Sequence, residues 1–390
     1  TLFPYTTLFR SNKVDYSFLT TPMNFWMLVL WLTLNISYFF GPYVPVFDFP
    51  SLSPSKIHSI TNNIFLFYFL SVLSVNRLIY SIYLSISFFV ITVFMTYWAN
   101  MQYFNQNWDQ FNYGRLLGPR SVDGSSMYYD ENALALLFVT GIPFIFYIAL
   151  NIKNKLIKLL ILSVIPFSAH AIFLTGSRGA LLSLAVILIF ISIKMKYKIF
   201  KILLPIMFIV FYQWQGGDIM HERSKTIVDH GGEGSAEGRI EAWKGGFEMV
   251  KSFPITGVGL GTFVTALPDF YPTNPRVAHN TLVQYSGESG ALAGLSYVLI
   301  IFIFFKNSYR TSLLNNKILD QEIRFKLDSI NNANTASFLG LTICSMFLSL
   351  ALYEIFFFLL LINNNLTIFL NKLANENNKI NFTENKEVIL

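Results

Sequence analysis

Long apolar runs, separated by short polar stretches, recur along almost the whole chain. Most of them approach the roughly 20 residues that an α-helix needs to cross the hydrocarbon core of a bilayer. They predict helices over residues 24–40, 58–75, 78–97, 131–150, 157–174, 179–193, 199–215, 281–305, 334–351 and 354–371. The runs are continuous rather than alternating, so the predicted fold class is all-α, a polytopic transmembrane bundle of about ten helices.

The composition agrees with this pattern. Of the 390 residues, 53% are hydrophobic and only 13% are charged, about half the charged share of an average soluble domain. The net charge is +6, but the lysines cluster in short loops between apolar runs, which is the orientation signal of a membrane protein. The predicted partner of these surfaces is therefore the lipid bilayer and not nucleic acid.

The positive residues also predict which loops share a side of the membrane. Three loops rich in lysine or arginine should be cytoplasmic, namely 151–158, 194–201 and 306–333. Counting helices between them places three other segments together on the outer side, namely 98–130, 175–178 and 216–280. These outer segments nevertheless carry five arginines, which the orientation rule does not explain: Arg115, Arg120, Arg178, Arg239 and Arg276.

The predicted organisation has four parts: N-terminal helices 24–215, an extracytoplasmic loop 216–280, C-terminal helices 281–371 and a polar cytoplasmic tail 372–390. Residues 1–11 resemble the translation of a sequencing-adapter oligonucleotide and are left out of the fold prediction. In the outer loop, residues 236–252 have an apolar stripe at helical spacing and predict an amphipathic helix with Ser235 as its N-cap.

Basic residues at the predicted outer helix ends are the first candidates for chemistry. Arg178 stands at the start of an apolar run, and Ser177 before it is placed to cap that helix. A guanidinium beside a helix N-terminus makes an anion site, although an arginine that only anchors the helix end is the simpler interpretation. Arg239 is a second candidate for binding an anion, but it could also pair with a glutamate of its own helix.

His279 and Asn280 stand immediately before the next outward-starting helix. A helix N-terminus disfavours the protonated imidazole, so His279 could act there as a neutral base. It could also be an ordinary interfacial histidine. His221 and His230 do not stand next to a predicted helix start, and they are weaker candidates for the base.

Other residues give weaker signals. The stretch Gly257-Val258-Gly259-Leu260-Gly261 has no strand–helix unit around it, so a tight turn is favoured over a phosphate loop. Arg115 and Glu288 are candidates for substrate binding, but an acid inside a helix can equally bond to a neighbouring helix. Cys344 is the one cysteine, and no cluster of cysteine or histidine has metal-ligand spacing, so neither a metal nor a cofactor is predicted.

Three stretches resemble the O-antigen ligase/polymerase superfamily of membrane glycosyltransferases. They are TGSRGALLSLAV, GRIEAWKGGFEMVKSFPITGVGLGTF and HNTLVQYSGESGALAG, and a weaker likeness runs from RLLGPR to DENALA. Together they cover about residues 115–294. The chain departs from the family pattern in SSMYYDEN, which lacks the usual Pro-Asn pair.

The resemblance implies an enzyme of the inner (cytoplasmic) membrane that needs no metal or cofactor. Its donor would be an undecaprenyl-diphosphate-linked glycan, and its acceptor a glycan or lipid A–core. The family arginines that match Arg178 and Arg239 are taken to bind the diphosphate, and the histidine that matches His279 is taken to act near the acceptor. Ser177, Asn280, Arg115 and Glu288 would assist in binding. A lipid-linked oligosaccharide flippase or another polytopic transporter is the alternative, although no inverted repeat is visible.

Overall fold

The computed structural model describes residues 19–43, 53–75, 77–120, 127–195, 234–318 and 320–376, with isolated positions between 199 and 213. Most of the predicted helix 199–215 lies outside these ranges. So do His221, His230 and the segment 1–11.

The described part of the chain is built almost entirely from α-helices. We number them α1 to α12 in chain order: Pro22–Phe40, Pro54–Ser74, Leu78–Phe104, Glu131–Asn151, Lys155–Leu162, Val164–Thr175, Arg178–Lys194, Gly234–Ser252, Phe263–Phe270, Thr281–Asn315, Gln321–Ser345 and Glu354–Glu376. A two-residue strand, β1 (Phe111–Asn112), pairs antiparallel with β2 (Arg115–Leu116) between α3 and α4. The predicted all-α fold class is confirmed.

Seven segments among the described residues are long and apolar enough to cross a membrane. They are Pro22–Phe40, Pro54–Ser74, Leu78–Phe104, Glu131–Asn151, Lys155–Thr175, Thr281–Asn315 and Glu354–Lys372. The segment Lys155–Thr175 contains both α5 and α6, which meet at Ser163. These helices make the chain a multi-pass membrane protein.

The C-terminal half differs from the prediction in its helix bounds. The helix predicted at 281–305 continues to Asn315 in α10, so much of the predicted loop 306–333 is helical. The predicted helix 334–351 is α11, which begins at Gln321 and ends at Ser345, and the residues that follow it form turns. Hydropathy placed this helix too late because its first half is polar. Those polar side chains are nevertheless buried with partners: Asn331 Nδ2 donates to Ser308 O over 3.0 Å, and Asn334 Nδ2 to Leu359 O over 3.0 Å. Amide groups that bond across helices in this way are common inside membrane bundles.

The two ends of the bundle collect different chain segments. Lys153 Nζ lies 3.6 Å from Glu322 Oε2, so the loop after α4 and the start of α11 share one end. At the opposite end, Arg115 Nε donates to Thr175 O over 3.0 Å, and Asn280 Nδ2 donates to Met346 O over 3.3 Å. We call this second end the arginine end.

The interior is centred on α4, which is buried along nearly its whole length. Helix α11 packs against α4 and α7, and α10 packs against α1 and α12. Small residues allow close approach: a Cβ on Gly141 would fall 2.2 Å from the Thr92 side chain of α3. This tight core holds the helix ends that carry the candidate residues.

Candidate active site

The arginine end contains a sharp reversal between α6 and α7. Helix α6 ends at Thr175, and Gly176 takes the left-handed conformation (φ 64°, ψ 20°) that glycine adopts without strain. Ser177 then caps α7, its Oγ accepting from Ala180 N over 3.4 Å, as the sequence predicts. Arg178 is therefore the first residue of α7, and its side chain is partly exposed.

Arg115 stabilises this reversal through three contacts. Its Nε donates to Thr175 O over 3.0 Å, its Nη2 donates to Asn132 Oδ1 over 3.3 Å, and its Nη1 forms an ion pair with Glu131. A Cβ on Gly176 would lie 3.3 Å from the Arg115 side chain, so the guanidinium packs directly on the turn. The structure thus gives Arg115 protein partners that hold the start of α7. The prediction that Arg115 binds substrate stays a prediction.

The histidine stands at the start of a second helix. We call the first turns of α7 and α10, with the residues just before them, the two helix mouths. Asn280 caps α10, its Oδ1 accepting from Leu282 N over 3.0 Å and from Val283 N over 3.1 Å. His279, just before this cap, has a left-handed backbone (φ 49°). That conformation is uncommon for a residue with a Cβ, and where the surrounding structure enforces it, it is often found at functional sites.

The backbone beside His279 is fixed by a tryptophan. Trp243 Nε1, from α8, donates to Ala278 O over 2.9 Å, and Ala278 is fully buried. The amphipathic helix predicted at 236–252 is α8, which begins at Gly234, so Ser235 lies within its first turn rather than before it. Trp243 thus connects this helix to the histidine-bearing mouth of α10.

Burial and three charged residues influence the pKa of His279. Burial is the largest influence and lowers the pKa of its imidazole below the ordinary value of 6.5. The guanidinium groups of Arg239 and Arg276 lower this pKa further, while the carboxylate of Asp130 opposes them. His279 is therefore neutral near pH 7, with one ring nitrogen able to accept a proton.

The turns at 346–353 connect the two helix mouths. Phe347 Cβ would lie 3.6 Å from a Cβ on Gly179, next to Arg178. On the other side, Thr281 Oγ1 donates to Leu348 O over 2.8 Å and accepts from Leu350 N over 2.9 Å. The segment therefore touches the first turns of both α7 and α10. No glycine or proline marks it in the sequence, so hydropathy extended the predicted helix across it.

Glu288 faces the protein interior, where it organises the glycine-rich loop. Its buried carboxylate accepts hydrogen bonds from the backbone of Gly261 and Phe263 and from Gln284 Nε2. These contacts give Glu288 a structural role, and its part in substrate binding stays a prediction.

The glycine-rich loop at 257–261, which Glu288 contacts, is a set of tight turns. Gly257, Gly259 and Gly261 have φ values of 63°, 128° and 76°, in the region that favours glycine. Val258 N donates to Gly287 O and Gly259 N to Glu288 O, both over 3.0 Å. These carbonyls are accessible because α10 is interrupted at Gly290 (φ 84°, ψ 173°). The predicted tight turn and the helix break thus fit each other.

Metal binding has no candidate cluster in the described ranges, where no group of three or more histidine, cysteine, aspartate or glutamate side chains converges. The arginine end instead brings together guanidinium groups, one imidazole and carboxylates, among them Asp130 and Glu131. Such a set can bind an anion and accept a proton.

The fold and this site define a polytopic helical membrane protein with a basic site at one end of its bundle. Residues 162–298 match the family model of the O-antigen ligase. The match includes Arg178, Arg239, His279 and the glycine loop, and it supports membership of the O-antigen ligase superfamily, as the sequence motifs predict. Arg115 lies outside it. No curated protein matches the chain.

The family match indicates a broad activity. An O-antigen ligase domain implies an enzyme of ligase or polymerase type that transfers glycosyl groups in polysaccharide biosynthesis. It also implies lipid-linked glycans as substrates and a membrane as their environment.

Proposed function

We propose that the protein transfers a glycan from an undecaprenyl-diphosphate-linked donor to a saccharide acceptor during the synthesis of a cell-surface polysaccharide. The acceptor is either a glycan, as for a polymerase, or lipid A–core, as for a ligase. The reaction takes place at the arginine end, which faces the outer side of the inner membrane. The observation that carries this proposal is that the turns at 346–353 contact both the helix start with Arg178 and the one with His279. Electrostatic effects of Arg239, Arg276 and Asp130 on His279 agree with it.

The two arginines act on the donor. The glycosyl diphosphate is already an activated bond, so its leaving group needs charge neutralisation more than protonation. Arg178, at the positive end of α7, and Arg239 bind the diphosphate oxygens, and guanidinium groups suit this task because they bind two oxygens at once. Their charges stabilise the diphosphate as negative charge develops on it.

His279 acts on the acceptor. Its neutral imidazole accepts the proton of an acceptor hydroxyl while that oxygen forms a bond to the anomeric carbon. The bond from this carbon to the diphosphate oxygen breaks, and undecaprenyl diphosphate leaves. The lowered pKa keeps the imidazole ready for this role at neutral pH.

A reconstituted assay tests the proposal against its main alternative. The purified protein in liposomes receives an undecaprenyl-diphosphate-linked oligosaccharide and a saccharide acceptor, and both free undecaprenyl diphosphate and the elongated product are measured. Transfer yields the two in equal amounts. Movement of intact lipid-linked oligosaccharide between leaflets, without release of undecaprenyl diphosphate, would contradict the proposal and favour a flippase.

A further inference from the structure

A polar cavity adjoins the candidate site on the side of α8. Its volume is about 510 Å³, within the range of small-molecule sites. The lining comes from the first turns of α8 and from the chain before α10: Glu237, Gly238, Glu241, Pro272, Thr273, Asn274 and Arg276. Apart from Arg276, which acts on the pKa of His279, none of these residues has a role in the chemistry described above.

Two contacts fix the walls of this cavity. Thr273 Oγ1 donates to Glu241 Oε2 over 2.6 Å, which joins α8 to the segment before α10. Arg276 packs directly on Gly238, because a Cβ at position 238 would fall 1.4 Å from its Nη1. Gly238 therefore makes room for the guanidinium, and any larger residue there would displace it.

The cavity is also connected to the proposed base. Arg276 lines it and at the same time acts on the pKa of His279. Arg239, which acts on the same imidazole, follows Gly238 in the chain. A molecule in the cavity would thus contact a guanidinium that also acts on the imidazole of His279.

The lining has the chemistry of a carbohydrate site. Carboxylates accept hydrogen bonds from sugar hydroxyls, and the amide and guanidinium groups donate to ring and hydroxyl oxygens. Among the lining residues two are carboxylates and one is a guanidinium. The two carboxylates favour a neutral or amino sugar over a uronic sugar, because the carboxylate of a uronic sugar would be repelled by them.

From this geometry we propose that the cavity binds the terminal sugar of the acceptor, and that Glu237 and Glu241 select a neutral or amino sugar. This inference rests on the proposed function, since it assumes transfer to a saccharide. Glu237 and Glu241 are specificity-determining residues in this account, and neither takes part in bond making.

Steady-state kinetics with Glu237→Gln and Glu241→Gln test the inference. Each substitution keeps the size of the side chain and removes its charge. We expect each to raise the KM for the acceptor about ten-fold, the effect of weakening one charge-assisted hydrogen bond, with kcat and the KM for the donor unchanged. Glu248→Gln is the matched control, because Glu248 lies on the same helix but pairs with Lys251.

The same variants distinguish the source of the sugar. A higher KM for the donor, with the acceptor KM unchanged, would place a donor sugar in the cavity and overturn the inference. Two acceptors that differ only by a neutral or a uronic terminal sugar provide the second test. We expect the wild type to prefer the neutral one and Glu241→Gln to lose much of that preference.

Failure of this inference and failure of the proposed function give different results. If the wild type forms no glycan product with any acceptor, the proposed function fails. If it forms product but Glu237→Gln and Glu241→Gln behave like Glu248→Gln, only the cavity assignment is wrong. Thermal unfolding of each variant in detergent confirms that the comparison is made on folded protein.

Discussion

The mouths of α7 and α10 are built alike but hold their basic residues differently. Each helix is capped by a polar side chain, Ser177 in one case and Asn280 in the other. Arg178 follows its cap and belongs to the helix, whereas His279 precedes its cap and has a left-handed backbone. The permanent charge thus sits on a regular helical turn, and the group that must titrate sits on a strained residue.

The residues around the two mouths differ as well. Behind Arg178, the reversal is braced by Arg115 and its ion pair with Glu131. Around His279, positive charges and burial lower the pKa of the imidazole. The mouth of α7 is therefore suited to holding an anion, and the mouth of α10 to keeping a base neutral.

The largest effect is expected from removing the base. His279→Ala should lower kcat about 10²- to 10⁴-fold, the usual contribution of a general base. His279→Gln should be as poor, because an amide can form hydrogen bonds but cannot accept the proton. The measurement is kcat for the variants, and kcat/KM for the wild type from pH 5 to 8, since kcat/KM reports the free enzyme. In the wild type, kcat/KM should be constant near neutral pH and fall on the acid side, with an inflection below the ordinary histidine value of 6.5.

Normal turnover of His279→Ala would remove the histidine from the mechanism. An increase in wild-type donor affinity at mild acid pH, lost in the variant, would instead indicate that protonated His279 binds the diphosphate.

Removing the anion-binding charge should have the next largest effect. Arg178→Ala should lower turnover about ten- to a hundred-fold, the loss of one charge-assisted bond. Arg178→Lys should restore little, because an ammonium cannot bind two oxygens in the plane of a guanidinium. The test is kcat/KM for the donor in purified, folded protein. Full activity of Arg178→Ala would reject the assigned role.

A smaller effect on donor affinity distinguishes two roles of Arg115, positioning of the α7 mouth and direct contact with substrate. If Arg115 only positions the α7 mouth, Arg115→Ala and Glu131→Gln should weaken donor affinity by similar factors. We expect about three- to ten-fold, the scale of roughly 1 kcal/mol for a partly exposed ion pair. If Arg115 contacts substrate directly, Glu131→Gln should leave donor affinity close to that of the wild type. Equilibrium binding of the donor to both variants decides between these roles.

The smallest effect concerns the acid limb of the pH profile. Arg239 lowers the pKa of His279 in the free protein, so Arg239→Gln should move the inflection of kcat/KM to higher pH. Asp130 raises this pKa, so Asp130→Asn should move the inflection to lower pH, while asparagine still caps α4. Opposite shifts identify the imidazole as the titrating group. An inflection that stays in place in both variants would assign it to another residue.

The sequence predicted the parts of this site that depend on neighbouring residues. Ser177, predicted as a cap, and Asn280, predicted at a helix start, are N-caps of helices that begin where the apolar runs begin. Capping is a local rule, because the side chain bonds to the backbone two or three residues ahead. The positions of Arg178 and His279 at helix mouths follow from the same rule.

The parts that could not be predicted depend on residues far apart in the chain. The brace from Arg115 to Thr175 O spans 60 positions, and the bond from Thr281 to Leu348 O spans 67. Ser37 Oγ donates to Glu288 O over 2.6 Å, across 251 positions. No spacing rule connects such residues, since only the packing of the helices brings them together.

We propose that the two helix mouths divide one reaction, with Arg178 acting on the donor and His279 on the acceptor. Donor affinity and single-turnover rate, measured for Arg178→Ala and His279→Ala side by side in one membrane preparation, test this division directly. We expect weaker donor binding in Arg178→Ala, and near-normal donor binding without transfer in His279→Ala. Equal loss of donor affinity in both variants, with equal residual transfer, would contradict it.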